Sequence, residues 1–256
     1  PQGAEYQAVR RGCRCGDVNA QNAQTVAVVS IPVGSRALYD RLVTLSQTDV
    51  LQKANGVIVM GLCGSLAADY RLGDVVVYRA CLSPSPITDS GNHLPTLQGY
   101  TVKFCELTLT QKLMDAFGAD PLLRARLVTA FTSDRLLWAA AEKRQLGQTL
   151  AADVVDMEGA IVVSVLAAIG VPVAMVRVVS DGVEQDLPNI TSALGRDGAI
   201  HPLPLALAML QQPIASLHLI HSSLAALHKL QAAATVVATV VSAPHHPNNS
   251  RDRRHP

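Results

Sequence analysis

The sequence predicts an α/β fold, a single domain with a central mixed and mostly parallel sheet flanked by helices, and three observations predict it. Short Val/Ile/Leu runs without polar alternation recur along the chain, the pattern of strands buried on both faces. Segments of helical period, bounded by caps and glycines, lie between them. The 256 residues are 49% hydrophobic but only 4% aromatic and 16% charged, so the interior is filled mainly by Ala, Val and Leu. A chain of this length buries roughly three quarters of its unfolded surface without metal or disulfide staples.

The strands read as 25–31 (TVAVVSI), 57–60 (VIVM), 74–78 (DVVVY), 127–131 (LVTAF), 153–157 (DVVDM) and 173–179 (VAMVRVV). Helices fit between them at 36–53, at 108–117 stopped by Gly118, at 135–146 capped by Asp134 and stopped by Gly147, and at 158–169 stopped by Gly170. The last of these is apolar all round after Glu158, which marks a buried central helix. Residues 83–103 are rich in Ser, Pro and Gly and read as a long loop, with or without a hairpin in it, of the kind that serves as a lid or binding loop. Beyond Pro202 the pattern is helical and amphipathic to about Leu230, and 243–256 is expected to be a polar, disordered tail.

Lys and Arg number 21 against 20 Asp and Glu, a formal charge of +1, so no basic footprint points to nucleic acid and the expected partner is a small molecule. The cysteines Cys13, Cys15, Cys63, Cys81 and Cys105 are odd in number and lack a CxxC pair. Neither a disulfide framework nor a zinc site fits them, and reduced thiols point to the cytoplasm. The apolar tract 232–241 is broken by threonines and falls short of the ~20 residues of a membrane-spanning helix, so no span is expected. No signal peptide is expected either.

Ligands in open α/β sheets collect beyond the carboxyl ends of strands, which singles out three segments. In Gly61-Leu62-Cys63-Gly64-Ser65 two glycines let the backbone approach a ligand, or simply make a tight turn. In Asp156-Met157-Glu158-Gly159-Ala160, Glu158 is placed to accept from a ligand's hydroxyls, or to complement a helix dipole. In Ser180-Asp181-Gly182, Asp181 is a turn former or a candidate general acid, since a partly buried carboxyl that keeps its proton near neutrality can donate it to a leaving group.

These three segments, with Leu72-Gly73-Asp74-Val75-Val76 between the first two, resemble in order and spacing the signatures of the nucleoside phosphorylase and nucleosidase superfamily, over roughly residues 1 to 190. The resemblance implies a three-layer α/β/α domain over 1–242 and cleavage of the N-glycosidic bond of a purine, in particular adenine, nucleoside. By position, Glu158 would bind the ribose hydroxyls and Met157 would pack on the sugar. Asp181, supported by Ser180, would protonate or hydrogen-bond purine N7. Cys63 and Gly64 would line the site through their backbone, and Leu136 and Leu137 would hold the base where the family carries an aromatic and an apolar residue. An acid at the base and a carboxylate near the sugar stabilise the two ends of one oxocarbenium-like transition state. No metal or organic cofactor is required.

Two nucleophiles remain open. Phosphorylases of this family carry an arginine two residues before the first glycine of the Gly-x-Cys-Gly motif; Val59 stands there, which weakens phosphate as co-substrate. Hydrolytic members place a water-activating glutamate in a segment similar to Gly3-Ala4-Glu5-Tyr6-Gln7-Ala8-Val9, which implies Glu5 as the base; Glu5 otherwise reads as a solvated residue in a first helical turn. Leu62 stands where hydrolases usually have Ser.

Asp186-Leu187-Pro188 and 196–200 are similar to hopanoid-associated phosphorylases, which act on adenosine bearing a lipid side chain, and imply that 83–103 and the C-terminal helices wall a large apolar 5′ substituent. A nucleoside-binding protein that keeps the fold with little turnover is the contrasting reading. His218, His221 and His228 would share one side of a helix, without the carboxylate partner or placement that would make a metal site the better reading. The family implies a homo-oligomer.

Overall fold

The carboxyl ends of the apolar strands converge on one side of a curled sheet, and that convergence places the site. The computed structural model describes residues 3–15, 26–85, 96–97, 99–188 and 210–242. The strands are β1 (Val57–Ser65), β2 (Val75–Pro84), β3 (Thr96–Leu97), β4 (Tyr100–Phe104), β5 (Ala125–Thr132), β6 (Val154–Asp156) and β7 (Val173–Asp181). They form one sheet in the order β3-β4-β2-β5-β6-β1-β7. The two longest ladders, β1–β7 and β2–β5, are parallel, as is the short β5–β6 ladder, and the other ladders are antiparallel. Because β2 also pairs with β7, the sheet closes on itself in part, and few backbone groups are left at an open edge.

Helices cover both faces: α1 (Gly3–Cys15), α2 (Ser35–Ser46), α3 (Asp49–Gln52), α4 (Leu107–Ala119), α5 (Ala140–Leu150), α6 (Gly159–Ala168) and α7 (Pro213–Ser242). Successive side chains of a strand point to opposite faces, and β7 divides its residues accordingly. Val173, Met175 and Val179 pack with Leu38 and Leu42 of α2 and Val162, Val163 and Leu166 of α6. Ala174, Val176 and Val178 pack with Ala8 and Val9 of α1, Leu113 and Phe117 of α4, and Ala226 and Leu230 of α7. The result is the helix–sheet–helix layering that the sequence predicts.

Several expected elements differ. The run 25–31 forms no strand over its described part, 26–31; it is coil, from which Ile31 enters the core cluster of α2 and α6. The 36–53 helix is two helices, broken at Thr48 with extended φ and ψ of −100° and 153°. The α4 helix passes through Gly118, and its first turn is capped by Glu106, whose carboxylate accepts from the Thr108 and Leu109 amides at 2.9 and 2.6 Å.

The α5 helix starts at Ala140 rather than 135 and runs through Gly147 to Leu150. Leu137, buried with Leu66, Phe131, Leu150 and Val155, draws 135–139 out of the helix. The capping role expected of Asp134 belongs to Asp186, whose Oδ1 accepts from the Ala140 amide at 2.7 Å.

The C-terminal helix is longer than the 232–241 tract suggests. Leu219–Val241, 23 residues of mean hydropathy 1.5, is long and apolar enough to cross a bilayer by length and composition. In the fold its face of Ala226, Leu230, Ala233 and Ala234 is buried against α1 and the sheet. The α1–α7 approach is close: a Cβ on Gly12 would overlap the Gln231 carbonyl oxygen. The described part of 83–103 is not loop throughout: it holds the end of β2 and the antiparallel β3–β4 pair, the hairpin that the segment allowed, while 86–95, 196–200 and the 243–256 tail lie outside the described residues.

Candidate active site

A cavity of about 210 Å³ opens where β1, β6 and β7 end, and all nine residues singled out by the sequence line it: Glu5, Cys63, Gly64, Leu136, Leu137, Met157, Glu158, Ser180 and Asp181. The remaining wall is largely apolar, from Ile31, Pro32, Val33, Leu62, Val155 and Leu187, with Asp156, Arg135 and Arg177 as its further charged members. Glu5 does lie in the first turn of α1, but there it faces the cavity instead of solvent.

A β-bulge sets the geometry at one end. The β1–β7 register runs Cys63↔Val179 and then Gly64↔Asp181, so Ser180 is the extra residue. Bulges re-aim the side chains that follow them, and here Asp181 is turned to lie against Gly64. A Cβ on Gly64 would stand 2.9 Å from Asp181 Oδ2 and 3.2 Å from Val155 Cγ1, so only glycine admits this approach without displacement. Ser180 Oγ lies 3.0 Å from Asp181 Oδ1 and 3.2 Å from the Cys63 carbonyl oxygen, tying the bulge to β1.

Asp181 is expected from the sequence to hold its proton in a partly buried setting. The structure gives it a partner instead: Lys143 of α5, fully buried, donates to Asp181 Oδ2 at 2.9 Å and to the Gly182 carbonyl at 2.8 Å. The carboxylate is thus half of a buried ion pair, with side-chain exposures of 0% and 8%.

A second charged cluster holds Glu5, Asp156 and Glu158 around the buried Arg177. Arg177 Nη2 donates to Asp156 Oδ2 at 3.3 Å and to Glu158 Oε2 at 3.4 Å. It shares the strand face of Met175 and Val179 and is itself part of the cavity wall. Asp156 is fixed by Thr132 Oγ1 at 2.9 Å and the Gly159 amide at 3.1 Å. A Cβ on Gly159 would come within 2.8 Å of Asp156 Oδ2, so the Glu158-Gly159 step depends on that glycine.

Burial pushes the Glu158 carboxyl up to about 7; Arg177 opposes the shift, while Asp156 and Glu5 add to it. Burial also raises Glu5, against Arg177 and a hydrogen bond from the Leu62 backbone. Cys63 is driven up by burial as well. It is a thiol rather than a thiolate.

Arg177 and Lys143 are absent from the residues singled out by sequence. A lone arginine inside the valine-rich VAMVRVV run was the available signal, because charges are almost never fully buried unless paired. Lys143 had no such signal, since its helix is otherwise polar. Among the described residues no group of His, Cys, Asp and Glu has a geometry that could hold a metal ion, and of the three histidines only His221 and His228 have described side chains.

Comparisons with known proteins bear on this arrangement. Residues 6–195 match the family model described as the phosphorylase superfamily. No curated protein matches. Among solved structures, the chain is similar to the 5′-methylthioadenosine/S-adenosylhomocysteine nucleosidase of Campylobacter jejuni (TM-score 0.56, 15% identity, 84% of this chain on 95% of that one). It is similar also to the futalosine hydrolase of Helicobacter pylori (TM-score 0.55, 14% identity, 87% on 94%) and to the 5′-methylthioadenosine nucleosidase of Arabidopsis thaliana (TM-score 0.53, 21% identity, 86% on 71%). These likenesses are of fold.

Proposed function

From the premise that the chain belongs to the phosphorylase superfamily, we propose that its cavity hydrolyses the N-glycosidic bond of an adenine nucleoside. The observation that carries this reading is the polarity of the site. Three carboxylates cluster on one arginine, and a fourth carboxylate is held separately in an ion pair with a lysine.

Departure of a purine leaves positive charge on the ribose and negative charge on the base. Glu158 and Glu5 face the first, and Glu158 accepts from the ribose hydroxyls. Asp181 faces the second and shares a proton on N7. An ion-paired carboxylate only accepts hydrogen bonds, so it favours an adenine that presents a protonated N7 and the exocyclic amino group over a base presenting a carbonyl there. Leu136 and Leu137 cover the base, and Met157 packs on the sugar.

Water suits the nucleophile side better than phosphate. Val59, at the phosphorylase arginine position, is buried in β1. The two lining cations are already engaged, Arg177 by Asp156 and Glu158 and Arg135 by Glu142. A phosphate dianion would meet carboxylates, whereas Glu5, raised by burial, is a stronger base for taking a proton from water. Arg177 Nε is buried without a partner among the described residues, and the water or a ribose hydroxyl would supply the acceptor it lacks. The solved structures named above are nucleosidases and a hydrolase, which agrees in direction.

The apolar rim of Ile31, Pro32, Val33 and Leu187 supports a 5′ substituent that is uncharged. The experiment is cleavage of adenosine and a series of 5′-alkyl and 5′-alkylthio adenosines in H2 18O. Label in the ribose C1 hydroxyl supports water as nucleophile and ribose 1-phosphate contradicts it; rates equal across the series would remove the apolar 5′ subsite.

A further inference from the structure

We propose that Lys143, which does not line the cavity, is a positioning residue for the base-facing carboxylate of Asp181 and is required for cleavage only when the leaving group must be protonated. The proposal rests on the hydrolytic reading above. Its basis is a set of contacts that all converge on one ammonium group.

Burying a charge without a partner is strongly unfavourable, and a buried pair is tolerated only where geometry and further hydrogen bonds complete it. Lys143 meets that requirement with two acceptors, Asp181 Oδ2 at 2.9 Å and the Gly182 carbonyl at 2.8 Å. The second of these fixes the ammonium to the backbone beside Asp181, so the carboxylate is oriented by a rigid donor and not by a swinging side chain. Ser180 Oγ at 3.0 Å engages the other oxygen. Lys143 holds Oδ2, and Ser180, whose one hydrogen is shared with the Cys63 carbonyl, stands at Oδ1, which leaves lone pairs for the base.

The fold places α5 for this purpose. Gly147 lies one turn beyond Lys143 on the same helix face, and a Cβ there would overlap the Leu66 carbonyl oxygen. The helix therefore rests directly on the residue that follows β1, the strand whose Gly64 pairs with Asp181. Its amino end is tied to the segment after β7, by the Ala140 amide on Asp186 and by the Leu187 amide on the Trp138 carbonyl at 2.8 Å. Both ends of α5 are thus referenced to the two strands that carry the site.

In the reaction the C1′–N9 bond breaks and its electron pair goes to the purine. N7 carries a proton drawn from solvent and shared with Asp181, water adds to C1′, and Glu5 takes the water's proton and returns it to solvent. Lys143 keeps its own protons throughout. A substrate whose leaving group departs as a stable anion, such as p-nitrophenyl β-D-riboside, needs no proton at the base and makes no demand on Asp181.

The test compares adenosine with p-nitrophenyl β-D-riboside in Lys143→Met, Gly147→Ala, Asp181→Asn and the Lys143→Met/Asp181→Asn double variant, each confirmed folded by thermal unfolding. The expected result is a loss in kcat on adenosine of roughly a hundredfold for Lys143→Met, with KM and the nitrophenyl rate within about threefold of wild type. The double variant should be no slower on adenosine than Asp181→Asn alone, because both act at one point. Gly147→Ala, which lifts α5 from Leu66 without touching either charge, should show the same selectivity and keeps the question open to an answer if Lys143→Met does not fold. Equal losses on both substrates, or additive losses in the double variant, overturn the proposal. A wild-type chain that cleaves neither substrate overturns the hydrolytic reading and this role with it.

Discussion

Gly64 and Asp181 face each other across the β1–β7 ladder because Ser180 is bulged out of register between them. Replacement of Gly64 by alanine would put a methyl group 2.9 Å from Asp181 Oδ2. That oxygen cannot swing away freely, since Lys143 holds it. We expect Gly64→Ala to lower kcat/KM for adenosine by about tenfold or more, while the melting temperature falls by only a few degrees. An activity equal to wild type would mean that Asp181 is not constrained by this approach.

Asp181→Asn keeps the size of the side chain but replaces one acceptor by a donor. Turnover should fall far more than the affinity for free adenine, because the group matters chiefly once N7 carries a proton. Trp138 is the only tryptophan in the chain and follows the cavity-lining Leu137, so adenine binding is expected to change its fluorescence. Proportionate losses in kcat and in binding would contradict the assignment.

The titration of Glu158 gives a pH signature with a definite sign. Its folded-state carboxyl is raised to about 7, so the folded protein binds this proton more tightly than the unfolded chain does. The associated stability is present below the ordinary carboxyl range and is lost as pH rises through about 7. Glu158→Gln removes the effect; its melting temperature relative to wild type should therefore be higher at pH 8 than at pH 5. A difference that does not change with pH would show that Glu158 does not titrate in this range.

Under the proposed hydrolysis the same group, together with Glu5, governs activity in the opposite sense. Both must be deprotonated, one to accept from ribose and the other to take a proton from water. As a result kcat/KM should decline on the acid side of about pH 7. Glu5→Gln should abolish cleavage while leaving the Trp138 response to adenine intact. Cleavage that survives Glu5→Gln would require another base.

What was legible in the sequence was local. The strand-end pairs Met157-Glu158 and Ser180-Asp181 and the Gly-x-Cys-Gly run each carry their meaning in a few consecutive residues, and the cavity collects both pairs with Leu62, Cys63 and Gly64; the run itself continues β1 to Ser65 and is not the tight turn its glycines also allowed. What was not legible depends on partners far apart in the chain. The Lys143–Asp181 pair joins residues 38 positions apart, and nothing in a mostly polar helix marks one lysine as buried. The 25–31 run has the composition of a strand, but an apolar run becomes one only if a neighbour offers a free edge. The start of α5 was displaced because burial of Leu137 among Leu66, Phe131 and Val155 outweighs the helical preference of 135–139.

The account stands most directly on one assay: release of adenine from adenosine and 5′-methylthioadenosine in phosphate-free buffer, followed by chromatography, with phosphate then added. Hydrolysis by the Glu5, Glu158 and Asp181 constellation predicts free adenine and free sugar at a rate that phosphate does not increase. Adenine released only when phosphate is present, with ribose 1-phosphate as co-product, would contradict it.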